Sequence, residues 1–300
     1  MPKTNREDRD MILIVPTPGT SREEDLAQRD KAARQGLKFY ESLHRYRLDG
    51  QWVPGVTTIL GVLDKPAIPK WAAKSVAQYV ATHREGVEHL WSMGERAVVD
   101  ALKGIPWEQR DQAGVRGTDV HDFAERILNG EEVEVPDHYV GHVESCVAFM
   151  EDWNIKPVLV EQTVGDRRHL YAGKLDLIAD SDHAPRAIFD WKTAASGIYK
   201  ETAFQLVAYA FAEFYGENGD EKPLTDLGIE ESYGVHIRAD GYDVLPLAFG
   251  PDVFDEFLCI RRAFDINKRA NGDWKRPGSG YVGIAHQLTH NNDHNQQESA

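Results

Sequence analysis

The chain is poor in cysteine, with Cys146 and Cys259 alone among 300 residues. Two thiols fit a reducing compartment and cannot supply a four-cysteine zinc or iron–sulfur site. Positive charge is also scarce: 34 Lys and Arg stand against 49 Asp and Glu, for a formal net charge of −15. That balance argues against non-specific nucleic-acid binding through a uniformly basic surface. It leaves room for local basic patches. Two exist: Arg29, Lys31, Arg34, Lys38, Arg45 and Arg47, then Arg261, Arg262, Lys268, Arg269, Lys275 and Arg276. No apolar run approaches the roughly 20 residues of a membrane span. No Gly-x-x-x-x-Gly-Lys-Ser/Thr loop is present, which argues against ATP hydrolysis by this chain. The opening Met-Pro-Lys-Thr-Asn-Arg-Glu-Asp lacks the pattern of a secretory signal, so the expected location is cytoplasmic.

What is present suffices for a full core, at 41% hydrophobic residues. Residues 1–20 are loose and polar apart from Met11–Val15, and residues 21–38 carry charge at helical spacing. His44–Arg47, Asp49-Gly50 and Gln51–Val53 read as a hairpin. From Pro69 to about Leu102 the pattern is helical, with Gly86 and Gly94 as interruptions. Arg116-Gly117-Thr118 then opens a helix over 119–129, with Thr118 as N-cap and Asn129-Gly130 as stop. A helix over 138–153 and a strand over Val158–Val164 follow. After a small-residue loop at 193–197, Tyr199–Tyr215 reads as a helix. Tyr233–Arg238 and Tyr242–Ala248 form a hairpin around Asp240-Gly241, and Pro251–Ala270 is a final amphipathic helix. The tail, rich in His, Asn, Gln and Glu, fits disorder, so His286, His290 and His294 read as solvated. The expected division is a mainly helical region with a small hairpin over 1–110, an α/β core over 111–282, and a disordered tail over 283–300.

The chemistry concentrates between Tyr171 and Lys192. Tyr-Ala-Gly-Lys-Leu-Asp-Leu-Ile-Ala-Asp and Ala-Ile-Phe-Asp-Trp-Lys are strand-like and separated by turn residues. Period-two alternation puts Ile188, Asp190 and Lys192 on one face and Ala187, Phe189 and Trp191 on the other. A hairpin whose last pair is Asp180 with Arg186 sets Asp176 opposite Asp190 and Lys174 opposite Lys192. Cβ atoms so placed lie about 4.5–5.5 Å apart. Two carboxylates at that distance repel unless a cation sits between them, which points to a divalent-metal site beside an ammonium. For Asp-x-Lys by itself a solvated face is the ordinary reading. His121 and Glu125 share a face of the 119–129 helix, and Gln205 and Tyr209 share an edge of the helix after the strands. Glu161 is a further candidate acid.

The order Gly-Thr-x-x-His, Gly-x-x-Asp, Asp-x-Lys-Thr and Gln-x-x-x-Tyr, over about Arg116 to Leu247, resembles the PD-(D/E)XK nuclease superfamily. The likeness is to the RecB-like branch, with phage exonucleases and CRISPR-associated RecB-like exonucleases. Residues His44-Arg45-Tyr46 through Val53–Thr58 are also similar to the N-terminal part of such phage enzymes. The resemblance implies a mixed central sheet flanked by helices, and hydrolysis of DNA phosphodiesters with Mg²⁺ or Mn²⁺. It implies Asp176 and Asp190 as metal-binding acids, Lys192 as the catalytic lysine and His121 as an extra ligand. Gln205, Tyr209 and Thr193 would line the site, with Glu161, Glu125 and Lys174 as further candidates. Leu175 stands where Pro is common, and Asp190 where Glu is frequent. The iron–sulfur cysteines of some relatives are absent, so no cluster is expected. DNA is the implied partner, with a recombinase, single-strand-binding protein or helicase from another chain, in a host cytoplasm if phage-encoded. Exonuclease action is favoured over endonuclease action. The competing reading is a nuclease-fold protein that binds DNA ends or a partner without catalysis.

Overall fold

The structure is a computed structural model that describes residues 35–217 and 220–273. The readings for residues 1–34 and for the tail, including His286, His290 and His294, lie outside the described residues. Among the described residues ten strands form two sheets. A small antiparallel sheet joins β1 (Leu37–Tyr40), β2 (Arg45–Leu48) and β3 (Gln51–Val53). The large sheet holds β4 (Lys156–Asp166), β5 (Tyr171–Asp180), β6 (Ala187–Lys192), β7 (Phe214–Glu217), β8 (Asp220–Pro223), β9 (Glu231–Arg238) and β10 (Gly241–Pro246). Its order is β10-β9-β6-β5-β4-β7-β8. Every neighbouring pair is antiparallel except β6 with β9. The protein is therefore α/β, with a seven-stranded mixed sheet flanked by helices.

Both faces of the sheet are covered, which is why β5 and β6 read as near-continuous apolar runs. On one face Leu175, Ile178 and Ile188 pack against α1 (Val56–Leu60), α6 (Glu201–Ala210) and α7 (Pro251–Asp273). On the other, Leu177, Phe189 and Trp191 pack against the end of α4 (Glu95–Leu128) and against α5 (Val140–Asp152). Phe149 anchors that second face, its ring 5.4 Å from Trp191 and 5.8 Å from Phe189. Before α4 come α2 (Ala67–Thr82) and α3 (Arg84–Ser92), which bury little: Ser75 in α2 and no residue of α3. No helix among the described residues is long and apolar enough to cross a membrane.

Several boundaries differ from expectation. The helix expected at 119–129 is the last third of α4, which runs unbroken from Glu95 through residues 110 and 111 despite Pro106. Thr118 is no N-cap; its hydroxyl donates back to Gly114 O at 3.2 Å, the i−4 bond that keeps a hydroxyl residue inside a helix. Gly117 lies inside the helix rather than breaking it, and a Cβ there would make ordinary contact with Thr193 Oγ1 at 3.4 Å. Of the expected interruptions, Gly94 (φ 103°) separates α3 from α4, but Gly86 lies inside α3 and the earlier break falls at His83. The helix expected over Tyr199–Tyr215 spans Glu201–Ala210, because Phe214 and Tyr215 join β7 at the sheet.

A candidate metal centre between β5 and β6

The β5–β6 register is the expected one, with Leu177 opposite Phe189, Ile178 opposite Ile188 and Ala179 opposite Ala187. Asp180 and Arg186 close the turn end through two hydrogen bonds of 2.9 Å. At the other end the ladder stops after Leu177–Phe189, so the expected direct pairs Asp176–Asp190 and Lys174–Lys192 do not form. Extending it would set carboxylate against carboxylate and ammonium against ammonium, and like charges directly opposite oppose pairing. The strands part instead. The Asp176 carboxylate enters the gap and accepts the Trp191 backbone N–H at 2.9 Å.

Trp191 organises the site through its backbone. Its N–H holds Asp176, and its carbonyl lies 3.0 Å from His121 Nε2. A carbonyl only accepts, so Nε2 carries a proton and Nδ1 faces the acids. Nδ1 is 3.5 Å from Asp176 Oδ2 and 3.8 Å from Glu161 Oε1. One ligand atom from each of His121, Glu161 and Asp176 lies within 4.8 Å of the others. Glu161 reaches this position because its φ is 51°, a left-handed conformation that costs energy for a non-glycine residue. The β4–β5 register is the same on either side of it, Val160–Leu177 and Gln162–Leu175, which sets Glu161 across from Asp176.

Asp190 sits beside this trio, outside the tight cluster. Gln205 Nε2 donates to its Oδ1 at 2.8 Å, and Lys192 Nζ lies 2.5 Å from its Oδ2. The Lys192 ammonium is thus the partner of Asp190 Oδ2, whereas Glu161 Oε1 is buried without a hydrogen bond. Lys174 pairs with Glu161 Oε2 at 2.7 Å. Tyr209 is buried, and its ring lies where a Cβ on Gly173 would meet it at 2.2 Å, so glycine is required there. Thr193 is half-buried directly after β6, across from Gly117. Glu125 lies on α4 near Lys174 and Glu161. His236 Nε2, on β9, lies 2.9 Å from Ala194 O and holds the loop that follows Lys192.

The electrostatics follow from burial among acids. Burial pushes the Asp176 carboxyl up to about 7; the His121 charge opposes this and the Asp190 charge adds to it. For His121 burial works downward, but the charges of Asp176, Glu161 and Asp190 overcome it and raise the imidazole to about 9. Burial would raise Glu161, yet His121 and Lys174 hold it below the usual carboxylate range. Burial opposes the charge on Lys192, and Asp190 and Asp176 keep it protonated. Tyr46, on β2, belongs to this neighbourhood although its residue type gave no sign of it. Burial and then the Glu161 charge push its hydroxyl up to about 12. The role of the Trp191 backbone was equally invisible, since side-chain identity does not encode it.

The donor set fits a divalent cation. It combines one imidazole with two carboxylates, offers no thiolate, and includes one buried carboxylate oxygen, Glu161 Oε1, without a hydrogen bond. Oxygen-rich sites with an imidazole suit Mg²⁺ or Mn²⁺, with the nitrogen favouring Mn²⁺. No protein-family model matches this chain, and no curated protein matches it at a significant level.

Proposed function

We propose that the protein is a metal-dependent deoxyribonuclease of the PD-(D/E)XK, RecB-like kind, acting as an exonuclease rather than an endonuclease. One observation carries the reading: an imidazole and two carboxylates within 4.8 Å, beside an Asp190–Lys192 pair on the adjoining strand. The order of the elements supports the reading: His121 on α4, Asp176 on β5, Asp190-x-Lys192 on β6 and Gln205-x-x-x-Tyr209 on α6. His121, Glu161 and Asp176 would hold Mg²⁺ or Mn²⁺, with Asp190 alongside. When bound, such an ion lowers the pKa of a water and offsets phosphate charge.

The chain's own residues supply the rest. The Lys192 ammonium is positioned to orient the attacking water or to stabilise charge on the phosphoryl oxygens, a contribution that grows in a dry site. Gln205 fixes Asp190, and the Trp191 backbone fixes Asp176 and His121. His121 must shed a proton before Nδ1 acts as a ligand. A groove between α2, α4 and the 193–199 loop, lined by Ile68, Trp71, Arg110, Arg116, Ser196 and Tyr199, abuts the loop after Lys192. It offers an approach for a phosphodiester toward an otherwise buried site.

The test is digestion of linear and covalently closed circular DNA with Mg²⁺, Mn²⁺ or EDTA. Loss of linear DNA alone, dependent on metal, is expected. Nicking of the circle would make the protein an endonuclease. DNA binding with no cleavage under any metal would move it to the non-catalytic reading.

A further inference from the structure

The metal centre does not account for the outer face of the small sheet. Lys38 lies opposite Arg47, Tyr40 opposite Arg45, and Arg47 opposite Trp52, so these five residues share one face. The alternating residues Leu37, Phe39, Tyr46, Leu48 and Val53 turn to the other side, where Leu48 and Val53 are buried with Ala172 and Phe214. Lys38, Arg45, Arg47 and Trp52 are exposed, Trp52 at 40%. Exposed Trp107 also lies beside an arginine, Arg110 at 4.8 Å, but Trp52 shares its face with three cations in a protein of net charge −15.

The face is also internally ordered. The Arg45 guanidinium lies 4.3 Å from the centre of the Trp52 ring, and that of Arg47 lies 5.9 Å away. The Tyr40 and Trp52 rings are 5.1 Å apart. Arg47 Nε donates to Gly50 O at 2.6 Å, which fixes its stem and leaves the rest of the fork outward. Among the described residues none of Lys38, Arg45 and Arg47 forms an ion pair. The adjoining acid Asp49 is already engaged by Arg167 and by the backbone N–H groups of Gln35 and Gly36. Among the described residues, three cations without an ion pair stand among two aromatic rings with no acid on the face, which complements a chain of phosphates with bases free to stack.

We propose that this face of β1–β2–β3 is a binding surface for single-stranded nucleic acid, separate from the metal centre. Cations tracking a phosphate backbone and aromatic faces accepting unstacked bases are the two components of single-strand binding. A duplex presents phosphates but no free base faces, so it uses only the first component. The same β2 strand turns Tyr46 inward toward Glu161. A strand held outside is therefore tethered to an element that borders the proposed catalytic site.

The test is fluorescence anisotropy with a labelled oligothymidylate in EDTA, over a salt series, using the full chain. EDTA removes cleavage and metal bridging. The double variant Arg45→Glu/Arg47→Glu is expected to bind at least tenfold more weakly. Removing two contacts should also flatten the slope of log K against log salt by about 1.4, at roughly 0.7 per contact for single strands. Trp52→Ala is expected to weaken binding several-fold with the slope unchanged, and Trp52→Phe to restore most of it. Should the double variant melt early, Arg45→Gln carries the same test with a slope change of about 0.7.

Three results overturn the proposal: variants that bind as the parent does, a parent that prefers duplex DNA or phosphatidylserine vesicles, and a Trp52→Ala variant without effect. Mn²⁺-dependent hydrolysis of bis(p-nitrophenyl) phosphate reads the metal centre alone and should be equal in parent and variants. A parent inactive on that ester but binding oligothymidylate as described would remove the nuclease reading and leave this surface standing.

Discussion

Around Arg167, Asp49 and Glu221 converge from distant parts of the chain on a cation that the protein itself supplies. Its Nε lies 2.7 Å from Asp49, its Nη2 lies 2.7 Å from Glu221, and Nη1 approaches Glu213 at 3.8 Å. Around β5, Glu161, Asp176 and Asp190 also gather acids, and three basic groups stand near them: His121, Lys174 and Lys192. The charges there balance only while His121 keeps a proton and Asp176 is ionised, and Glu161 Oε1 is buried without a hydrogen bond. The first cluster has its own arginine at the centre, which ties the β2–β3 turn to the large sheet, although its Nη1 is also buried without a hydrogen bond. In the second no protein cation sits among the three ligand atoms of His121, Glu161 and Asp176 that lie within 4.8 Å of one another. Clustered acids alone do not mark a candidate metal site; ligand atoms that converge with no protein cation between them are the better sign.

Four substitutions or conditions sharpen that contrast. The largest effect is on catalysis. Lys192→Ala should lower Mn²⁺-dependent cleavage of linear DNA by at least about 10²-fold, the usual cost of a lost transition-state donor. Gel or fluorescence digestion checks it, and a variant as active as the parent would remove lysine from the chemistry.

The next effect is on stability. Arg167→Ala leaves Asp49 and Glu221 partly buried without their cation and should destabilise by roughly 2–3 kcal/mol, below the range for a fully buried pair because the cluster is half-open to water. Urea unfolding measures it. The Mn²⁺-induced rise in melting temperature should survive in this variant. A variant that keeps full stability but loses the Mn²⁺ response would reverse the roles given to the two clusters.

The third effect is on metal affinity. His121 is raised to about 9 and Asp176 to about 7, so at pH 7 the metal-free site holds protons that a cation must displace. Affinity therefore rises with pH, by up to about tenfold per unit for each proton released, and levels off above pH 9. Mn²⁺ titration calorimetry at pH 7, 8 and 9 tests this, and His121→Gln should flatten the profile.

The smallest effect is on the metal-free fold. A carboxyl raised from 3.8 to about 7 favours the folded state below its unfolded pKa and loses that advantage as pH rises toward 7. Asp176→Asn keeps an acceptor for the Trp191 N–H and removes the charge. In EDTA at pH 8 it should match or exceed the parent by on the order of 1 kcal/mol. A lower melting temperature than the parent's would count against buried repulsion.

Much of this site was legible in the sequence because two periodicities carry it. Period two in β5 and β6 gave the register and the facing of Asp190 and Lys192, and helical spacing paired Gln205 with Tyr209. The rest depends on departures from regularity that residue types do not announce. The β5–β6 ladder ends where like charges would meet, and Asp176 enters the gap. The positive φ of Glu161 aims its carboxylate at His121, which turns an unmapped acid into a member of the tight trio. Gly117-Thr118 resembled a helix start, but packing of Val120 and Ala124 and the Thr118 back-bond carry α4 through it. The β1 strand was missed because it is four residues long and its first two fall in the charged, helix-spaced stretch 21–38; its Lys38 and Tyr40 lie on the face assigned to single strands.

The central claim is that the converging ligand atoms of His121, Glu161 and Asp176 belong to one divalent cation. Anomalous diffraction from crystals grown with Mn²⁺ tests it most directly. The account predicts an anomalous peak within about 2.0–2.2 Å of His121 Nδ1 and at ordinary ligand distance from the Glu161 and Asp176 carboxylates. Strong Mn²⁺ peaks elsewhere with none among these three side chains, at a concentration that supports cleavage, would contradict it.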